Sequence, residues 1–393
     1  MNKLTRIRIH NDNAIPHLQW AHDLTISLPR TFTSHLYAQG KLTNPNVLVL
    51  NKTFLTSDTM MLARDLLDEV RLTAAFTESK PTSSKLPVNY QHVPSLLRDI
   101  VANVIGRIKR RKISEWAKFP AWPIDLSADV LEDLSYPTKL LSQTATPVLL
   151  THDLDSAEGL NNLVDYFLDI EESVGAKSCN YIVPCSWAIP YNKLDIVLNR
   201  GHEIGIHGYD HSNKTPFLPE IERHQRLLAA EPLIKAYRVS GYRAPSLLRT
   251  KGLLHNLESF YRYDSSIPTS GGLFPIPNNG CATARPFKIG NLWEIPLSMP
   301  RDGSLQFLGY SCQEILDMWI ACANLIAQSG GVINLLTHCE QRFSGKKSMR
   351  EIYRKFLEYL ASDNRFKFTL PKDLCTDLYA KEIDINVVKE PVI

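Results

Sequence analysis

The sequence lacks several features that would assign it to a class of protein at once. Lys and Arg number 44 against 41 Asp and Glu, and a net charge of +3 over 393 residues is too near balance to indicate a nucleic-acid partner. Its seven cysteines are odd in number and include no C-x-x-C pair, which excludes a disulfide framework and a zinc knuckle. No apolar run has the length of a membrane span, so we expect no transmembrane segment.

The start of the chain also lacks the apolar core of a signal peptide. We therefore expect a cytoplasmic protein, which unpaired cysteines also fit. The one concentrated charge is the basic cluster from Arg107 to Lys112. It is interpreted first as a solvated helix end, and the alternative is contact with anionic lipid at a membrane surface or with a phosphorylated carrier.

The residue pattern divides the chain near residue 145 and favours an α/β fold. Residues 1–145 carry a strand-like run at 47–50 and a helical pattern over 58–72, but no recognisable site, so they form an N-terminal region of unknown role. In residues 146–393 short apolar runs alternate with helical patterns, which is typical of βα units around a parallel sheet or barrel. Chemistry in such folds lies at the carboxyl ends of the strands.

Two carboxylates follow the first apolar run of this second part, in Thr151-His152-Asp153-Leu154-Asp155. Side chains on a strand alternate between its faces, so Asp153 and Asp155 point to the same side. Two like charges at that distance are unfavourable unless a cation lies between them or one accepts a proton. The pair therefore indicates a metal ligand beside a general base.

Two histidines supply further ligands for such a metal. His207 ends the predicted strand 203–207, and His211 follows four residues later. With Asp155 they make a set of two imidazoles and one carboxylate that leaves a coordination position open, which is the pattern of a catalytic zinc site. Without the acidic motif, His207 and His211 are explained equally well as two surface histidines that lie four residues apart by chance.

Three more features lie near predicted strand ends. Arg243, in Arg243-Ala244-Pro245-Ser246, follows a predicted strand over 236–240 and could hold Asp153 ionised, although an ordinary surface arginine is the simpler interpretation. His338 follows the apolar run 332–336. It could be a general acid or a histidine at the edge of the core. Residues 266–300 are rich in Pro and Gly and predict a long irregular loop lining a groove.

The order of these motifs resembles that of the polysaccharide deacetylase (NodB-homology) carbohydrate esterases. Thr-His-Asp-Leu-Asp, His-x-x-x-His, Arg-x-Pro and Leu-Thr-His occur in the family's order over roughly residues 146 to 370. The resemblance implies a deformed (β/α) barrel and a metal-dependent amide or ester hydrolase. It implies Asp153 as catalytic base, Asp155, His207 and His211 as ligands of a divalent metal, most simply zinc, Arg243 as the residue that orients Asp153, His338 as general acid, the Ser246 N–H as oxyanion donor and Asp264 as partner of His338.

The chain departs from the family pattern at four places. Leu154 separates aspartates that are often adjacent, Gly208 replaces Ser or Thr, and Ser246 replaces an aromatic residue. The fourth motif, an Asp and a Trp that shape the groove, has only two candidates, at 263–266 and 292–296.

These features together predict a hydrolase that removes an acetyl group from an N-acetylated sugar or a nucleotide-linked or lipid-linked glycan precursor. Two alternatives stay open. One is a hydrolase of small cyclic amides on the same fold, with or without a metal. The other is a non-catalytic glycan-binding protein that keeps the fold.

Overall fold

A computed structural model describes residues 4–73, 76–77, 80–85, 95–114, 124–136, 145–271, 274 and 279–387 of the chain. The N-terminal part contains a four-stranded sheet with strand order β2-β1-β4-β3, in which β1 runs antiparallel to β2 and parallel to β4. The strand and the helix predicted at 47–50 and 58–72 are confirmed. The elements are β1 (Leu4–Asn11), β2 (Thr25–Pro29), α1 (Arg30–Ala38), β3 (Leu42–Asn44), β4 (Val47–Leu50) and α2 (Ser57–Thr73).

Three helices follow before the second sheet: α3 (Thr82–Lys85), α4 (Ser95–Ser114) and α5 (Ser127–Ser135). The last of them is almost wholly buried and joins the two sheets. Its Asp133 accepts a hydrogen bond from Trp20 Nε1 at 3.0 Å on one side and from Arg285 Nη1 at 2.7 Å on the other. The N-terminal part is thereby anchored to the second sheet through buried charge.

The second sheet has nine strands in the order β10-β11-β9-β8-β7-β6-β5-β12, with β13 beside β5. All neighbours are parallel except the hairpin β10-β11. Beyond β11 the chain returns to β12, where the Met299 N–H donates to the Asn334 carbonyl at 3.2 Å. The strands are β5 (Thr146–Leu154), β6 (Ser178–Ile182), β7 (Glu203–Ile206), β8 (Gly241–Tyr242), β9 (Tyr263–Asp264), β10 (Phe287–Ile289), β11 (Leu292–Glu294), β12 (Ile333–His338) and β13 (Phe366–Phe368).

Helices alternate with these strands, and the predicted α/β class with a deformed (β/α) barrel is confirmed. A π-helical turn, Leu163–Phe167, separates the first two of them. Within the described residues no helix is both long and apolar enough to cross a bilayer. The helices are α6 (Ala157–Asn162), α7 (Leu168–Glu172), α8 (Tyr191–Asn199), α9 (Glu220–Leu228), α10 (Glu231–Tyr237), α11 (Lys251–Leu257), α12 (Asp302–Phe307), α13 (Cys312–Gln328), α14 (Lys347–Ala361) and α15 (Pro371–Val387).

Three predicted elements differ from the structure. The helical sequence pattern over 218–236 predicts one helix, but the structure has two, α9 and α10, because Pro232 has no N–H and fits only the first turn of a new helix. The strand expected over 236–240 is wrong: α10 runs to Tyr237, Arg238 ends it in the left-handed conformation, and only Gly241–Tyr242 pair as β8. The loop expected over 266–300 contains the β10-β11 hairpin.

Candidate active site

The ends of three strands bring the catalytic candidates to one edge of the sheet. Strands β5 and β12 are parallel, and their register places Asp153 directly opposite His338. Asp155 follows the last residue of β5, and His207 follows the last residue of β7. The carboxyl ends of three strands therefore meet at these side chains.

Asp155, His207 and His211 form a compact set of metal-binding atoms. One ligand atom from each lies within 4.8 Å of the others. Asp155 Oδ1 is 3.3 Å from His211 Nε2 and 3.7 Å from His207 Nε2, and this buried oxygen has no hydrogen-bond partner among the described residues. An orphaned carboxylate oxygen between two imidazoles fits a divalent cation, because the cation would supply the missing partner.

The tautomer of His207 also fits a ligand role. Its Nδ1 lies 3.0 Å from the carbonyl oxygen of Arg243, which can only accept, so Nδ1 carries the proton and Nε2 presents its lone pair. Burial lowers the pKa of His207, which favours the neutral ring that a metal ligand requires. The carbonyl of the Arg-x-Pro motif thus orients a ligand of the His-x-x-x-His motif.

The loop between the two histidines depends on a backbone that most residues avoid. Gly208 has φ 71° and His211 has φ 56°. A Cβ on Gly208 would overlap the ring of Pro245, so both the conformation and the space require glycine here. This is the physical reason why Gly208 stands where the family resemblance leads one to expect Ser or Thr.

Arg243 holds Asp153 in a buried ion pair. Its Nη1 donates to Asp153 Oδ1 at 3.0 Å, and its Nε and Nη2 donate to the carbonyl and hydroxyl of Ser265 at 2.9 and 3.0 Å. The guanidinium stacks over Tyr181, 4.1 Å from the ring centroid. Burial alone would raise the pKa of Asp153, but His207 and Arg243 outweigh it and hold the pKa below its usual value. Asp153 is therefore an ionised carboxylate that can accept a proton.

His338 is paired with Asp302. Its Nδ1 lies 2.8 Å from Asp302 Oδ1, and its backbone N–H donates to Asp302 Oδ2 at 2.8 Å. Burial would lower the pKa of His338, but Asp302 and the more distant Asp155 and Asp153 raise it to about 9. The ring is a cation at neutral pH, which a general acid requires.

Asp264, the partner that the resemblance implied for His338, lies elsewhere. Its Oδ1 accepts from the Ser266 hydroxyl at 2.7 Å, and its carboxyl faces that of Glu294, with burial raising the pKa of both. Asp302 was missed because it lies outside both stretches considered for the fourth motif. The signal that could have found it is an aspartate behind Pro300 at the start of a helical pattern.

Glu340 is a second residue that the sequence reasoning missed. Its Oε1 accepts from the Asp155 backbone N–H at 3.2 Å and from the Ser156 hydroxyl at 2.9 Å. Burial and the nearby Asp155 carboxylate raise the pKa of Glu340 to about 7. The signal was its position two residues after His338, just beyond the end of β12.

Ser246 lies at the rim of the site in a strained turn. It is exposed, and both it and Leu247 have positive φ, 52° and 56°. Backbone held in this region by L-residues is costly and is found where a function needs it. The turn follows Pro245, so the Arg-x-Pro motif fixes where the Ser246 N–H lies.

A cleft opens beside this turn. Among the described residues its lining is mainly apolar, and Arg301 is the charged residue in it. Arg301 Nε donates to the Ser304 hydroxyl at 2.9 Å. The remaining lining residues are Leu247, Pro268, Thr269, Ser270, Leu297, Met299 and Leu336.

Comparison with known proteins gives likenesses of structure alone. No family model matches the sequence, and no curated protein matches it. A protein from Mycobacterium smegmatis described as a polysaccharide deacetylase is 17% identical with a TM-score of 0.49, covering 62% of this chain and 94% of that one. Puue allantoinase is 14% identical with a TM-score of 0.48, covering 60% and 91%.

A third solved structure is a CE4 family pseudoenzyme from Bacillus anthracis, 14% identical with a TM-score of 0.39, covering 60% of this chain and 66% of that one. Polysaccharide deacetylases are thus among the structures to which this chain is similar, as the motifs indicated. At these identities the likeness concerns the fold, and it assigns no role to any residue.

Proposed function

We propose that the protein is a metal-dependent hydrolase that removes the acetyl group from an N-acetylated sugar or glycan precursor. One observation carries this proposal: three kinds of group lie together at one edge of the sheet. These are a metal-binding triad, an ionised carboxylate held by arginine, and a protonated histidine held by aspartate. Together such groups can activate the attacking water, stabilise the developing negative charge and protonate the leaving amine.

Asp155, His207 and His211 would hold the divalent metal, and two imidazoles with one carboxylate favour zinc. When bound, the metal would supply Lewis acidity toward water and the acyl oxygen. Asp153 would take the proton of the attacking water, and Arg243 keeps that carboxylate ionised and aimed.

Two donors would serve the other side of the reacting carbonyl. The Ser246 N–H would donate to the oxyanion, and the loss of one such donor typically costs about 10²–10³ in rate. His338 would donate its proton to the departing amine, with Asp302 holding the ring through Nδ1 so that Nε2 is the donor. Leu247, Leu297 and Leu336 offer the acetyl methyl group an apolar wall.

The test is release of acetate from an N-acetylated glucosamine oligosaccharide. We expect turnover that stops when a chelator removes the metal and returns when zinc is added. Two other outcomes would replace the proposal. Turnover of a cyclic amide with none of the acetylated sugar would assign the site to cyclic-amide hydrolysis, and tight glycan binding by metal-free protein without turnover would assign it to recognition.

A further inference from the structure

Among the described residues, helix α4 contacts the barrel through one side. Gly106 lies so close to the Phe307 carbonyl that a Cβ would overlap it. Arg110 donates to the Gly309 carbonyl and to Glu314, both at 2.7 Å, and its guanidinium lies 4.1 Å from the centroid of the Tyr310 ring. This side of α4 is therefore held against the end of α12 and against the residues that follow it.

The opposite side of α4 is an exposed apolar stripe. Its six members recur at the three- and four-residue spacing of one helix face. In a soluble protein such a face normally packs against a core, and a continuous exposed patch marks an interaction site. The stripe consists of Leu97, Ile100, Val101, Val104, Ile105 and Ile108, whose exposed fractions run from 41% to 59%.

Basic residues border this stripe. The segment Ser95–Ser114 holds six Lys or Arg against one acidic residue. At 3.6 residues per turn, Arg107 and Lys109 fall on the two edges of the stripe. Long cationic side chains at the edges of an apolar face can extend along it while their charges stay in a polar layer. The charge identifies the partner: a second copy of the chain would bring two basic helices together, whereas an anionic surface complements them.

We propose that α4 is a membrane-surface helix that inserts the apolar stripe into the interface of an anionic lipid bilayer. Helices that lie in the plane of a membrane combine an apolar face with Lys and Arg along their polar borders. Each basic residue near an anionic leaflet adds attraction that salt screens. Arg107 and Lys109, at the edges of the stripe, then form one surface with it.

The contacts of α4 place this surface next to the candidate active site. Phe307, against which Gly106 packs, has its ring 5.8 Å from that of Phe343, which lies 4.8 Å from His338. Asp99 of α4 lies 3.6 Å from Arg342. Docking through α4 would hold the site beside the lipid headgroups. If the proposed function holds, the glycan precursor is therefore a lipid-linked one.

Vesicle sedimentation tests the helix without turnover. We expect the wild-type chain to bind phosphatidylcholine vesicles that contain phosphatidylglycerol at least about tenfold more tightly than phosphatidylcholine alone, with salt weakening the binding. Val104→Asp with Ile108→Asp should weaken binding at least about tenfold, since two apolar side chains that would insert into the bilayer interface become charges. Arg107→Gln with Lys109→Gln should reduce the preference for anionic vesicles.

The matched control is Ile221→Asp with Leu228→Asp, the same change at two exposed apolar positions of α9, which should bind as wild type does. Asp153→Asn should also bind as wild type, so loss of turnover and loss of docking are distinguishable. Failure of the wild-type chain to sediment with anionic vesicles at low salt overturns the proposal, and so does unchanged binding by the α4 variant. A solution dimer that the α4 variant dissociates, without vesicle binding, would identify a second copy as the partner.

Discussion

The carboxylates of Asp153 and Asp155 lie in different electrostatic surroundings although one residue separates them. Asp153 is held by the fixed charge of Arg243. Burial would raise the pKa of Asp155, but His211 and His207 lower it to about 2, and its Oδ1 lacks a hydrogen-bond partner among the described residues. The first is arranged to gain a proton during the reaction, the second to stay ionised against a cation.

The acid function of His338 should depend on Asp302. Because the pKa of His338 is raised to about 9, the ring carries its proton below that pH, and kcat should fall as the pH rises through it. Asp302→Asn removes the charge that raises this pKa, so the alkaline limb of kcat should move down by about 1–2 pH units. A pH–rate profile measures the shift, with Asp264→Asn as the comparison. An unmoved limb in the Asp302 variant would show that His338 is not the titrating acid.

The residues of the site differ in how far the sequence could reveal them. Alternation along one strand was enough to predict that Asp153 and Asp155 share a side, and strand ends were enough to single out His207 and His338. Arg243 was singled out from a strand expected over 236–240, whereas the strand before it is Gly241–Tyr242. Asp302 contacts His338 across 36 residues of chain, through a helix start that the sequence pattern left inside a loop. Such a pairing depends on how the loop returns to β12, which local spacing does not encode.

At the scale of elements, the turn after β7 joins two motifs through backbone geometry. Gly208→Ala should destabilise the fold by about 2–5 kcal/mol, from the left-handed conformation and the overlap with Pro245 together. The control is Gly175→Ala, with φ 74° and open space around its Cβ position, which should cost only about 1–2 kcal/mol. Denaturant unfolding compares the two, and equal losses would mean that the Pro245 contact is unimportant.

The elements that the sequence predicted well were those with a strong local pattern, such as β4, α2 and β12. The short strands β8, β9 and β11 have two or three residues each and could not be recognised, because their pairing comes from neighbours distant in the chain. Of helix α4, only the basic end from Arg107 to Lys112 was interpreted as helical. Its outward apolar stripe has the usual helical spacing, but among the described residues it stays exposed.

At the scale of the whole molecule, buried charge connects the N-terminal part to the barrel. Arg285 lies among Asp129, Glu132 and Asp133 of α5, with its Nη1 2.7 Å from Asp133 and 3.1 Å from Glu132. Burial raises the pKa of Asp129 to about 6 even with this cation nearby. We propose that the two parts into which the sequence pattern divides the chain near residue 145 unfold together.

Arg285→Met should destabilise the protein by about 3–5 kcal/mol, because it leaves several buried carboxylates without their cation. Arg354→Met, at an exposed position of α14, should change stability by less than about 0.5 kcal/mol. Thermal unfolding followed by circular dichroism checks both the size of the loss and whether one transition remains. Two separate transitions in the wild-type chain would contradict the proposed coupling.

The central claim is that one aspartate of the pair binds metal and the other handles the proton. It is tested most directly by measuring bound zinc and acetate release in Asp153→Asn and Asp155→Ala, purified in the same way. The first variant should keep one zinc per chain and lose about 10²–10⁴ in kcat, while the second should lose the metal. Loss of zinc in Asp153→Asn, or full zinc with retained turnover in Asp155→Ala, would contradict the assignment.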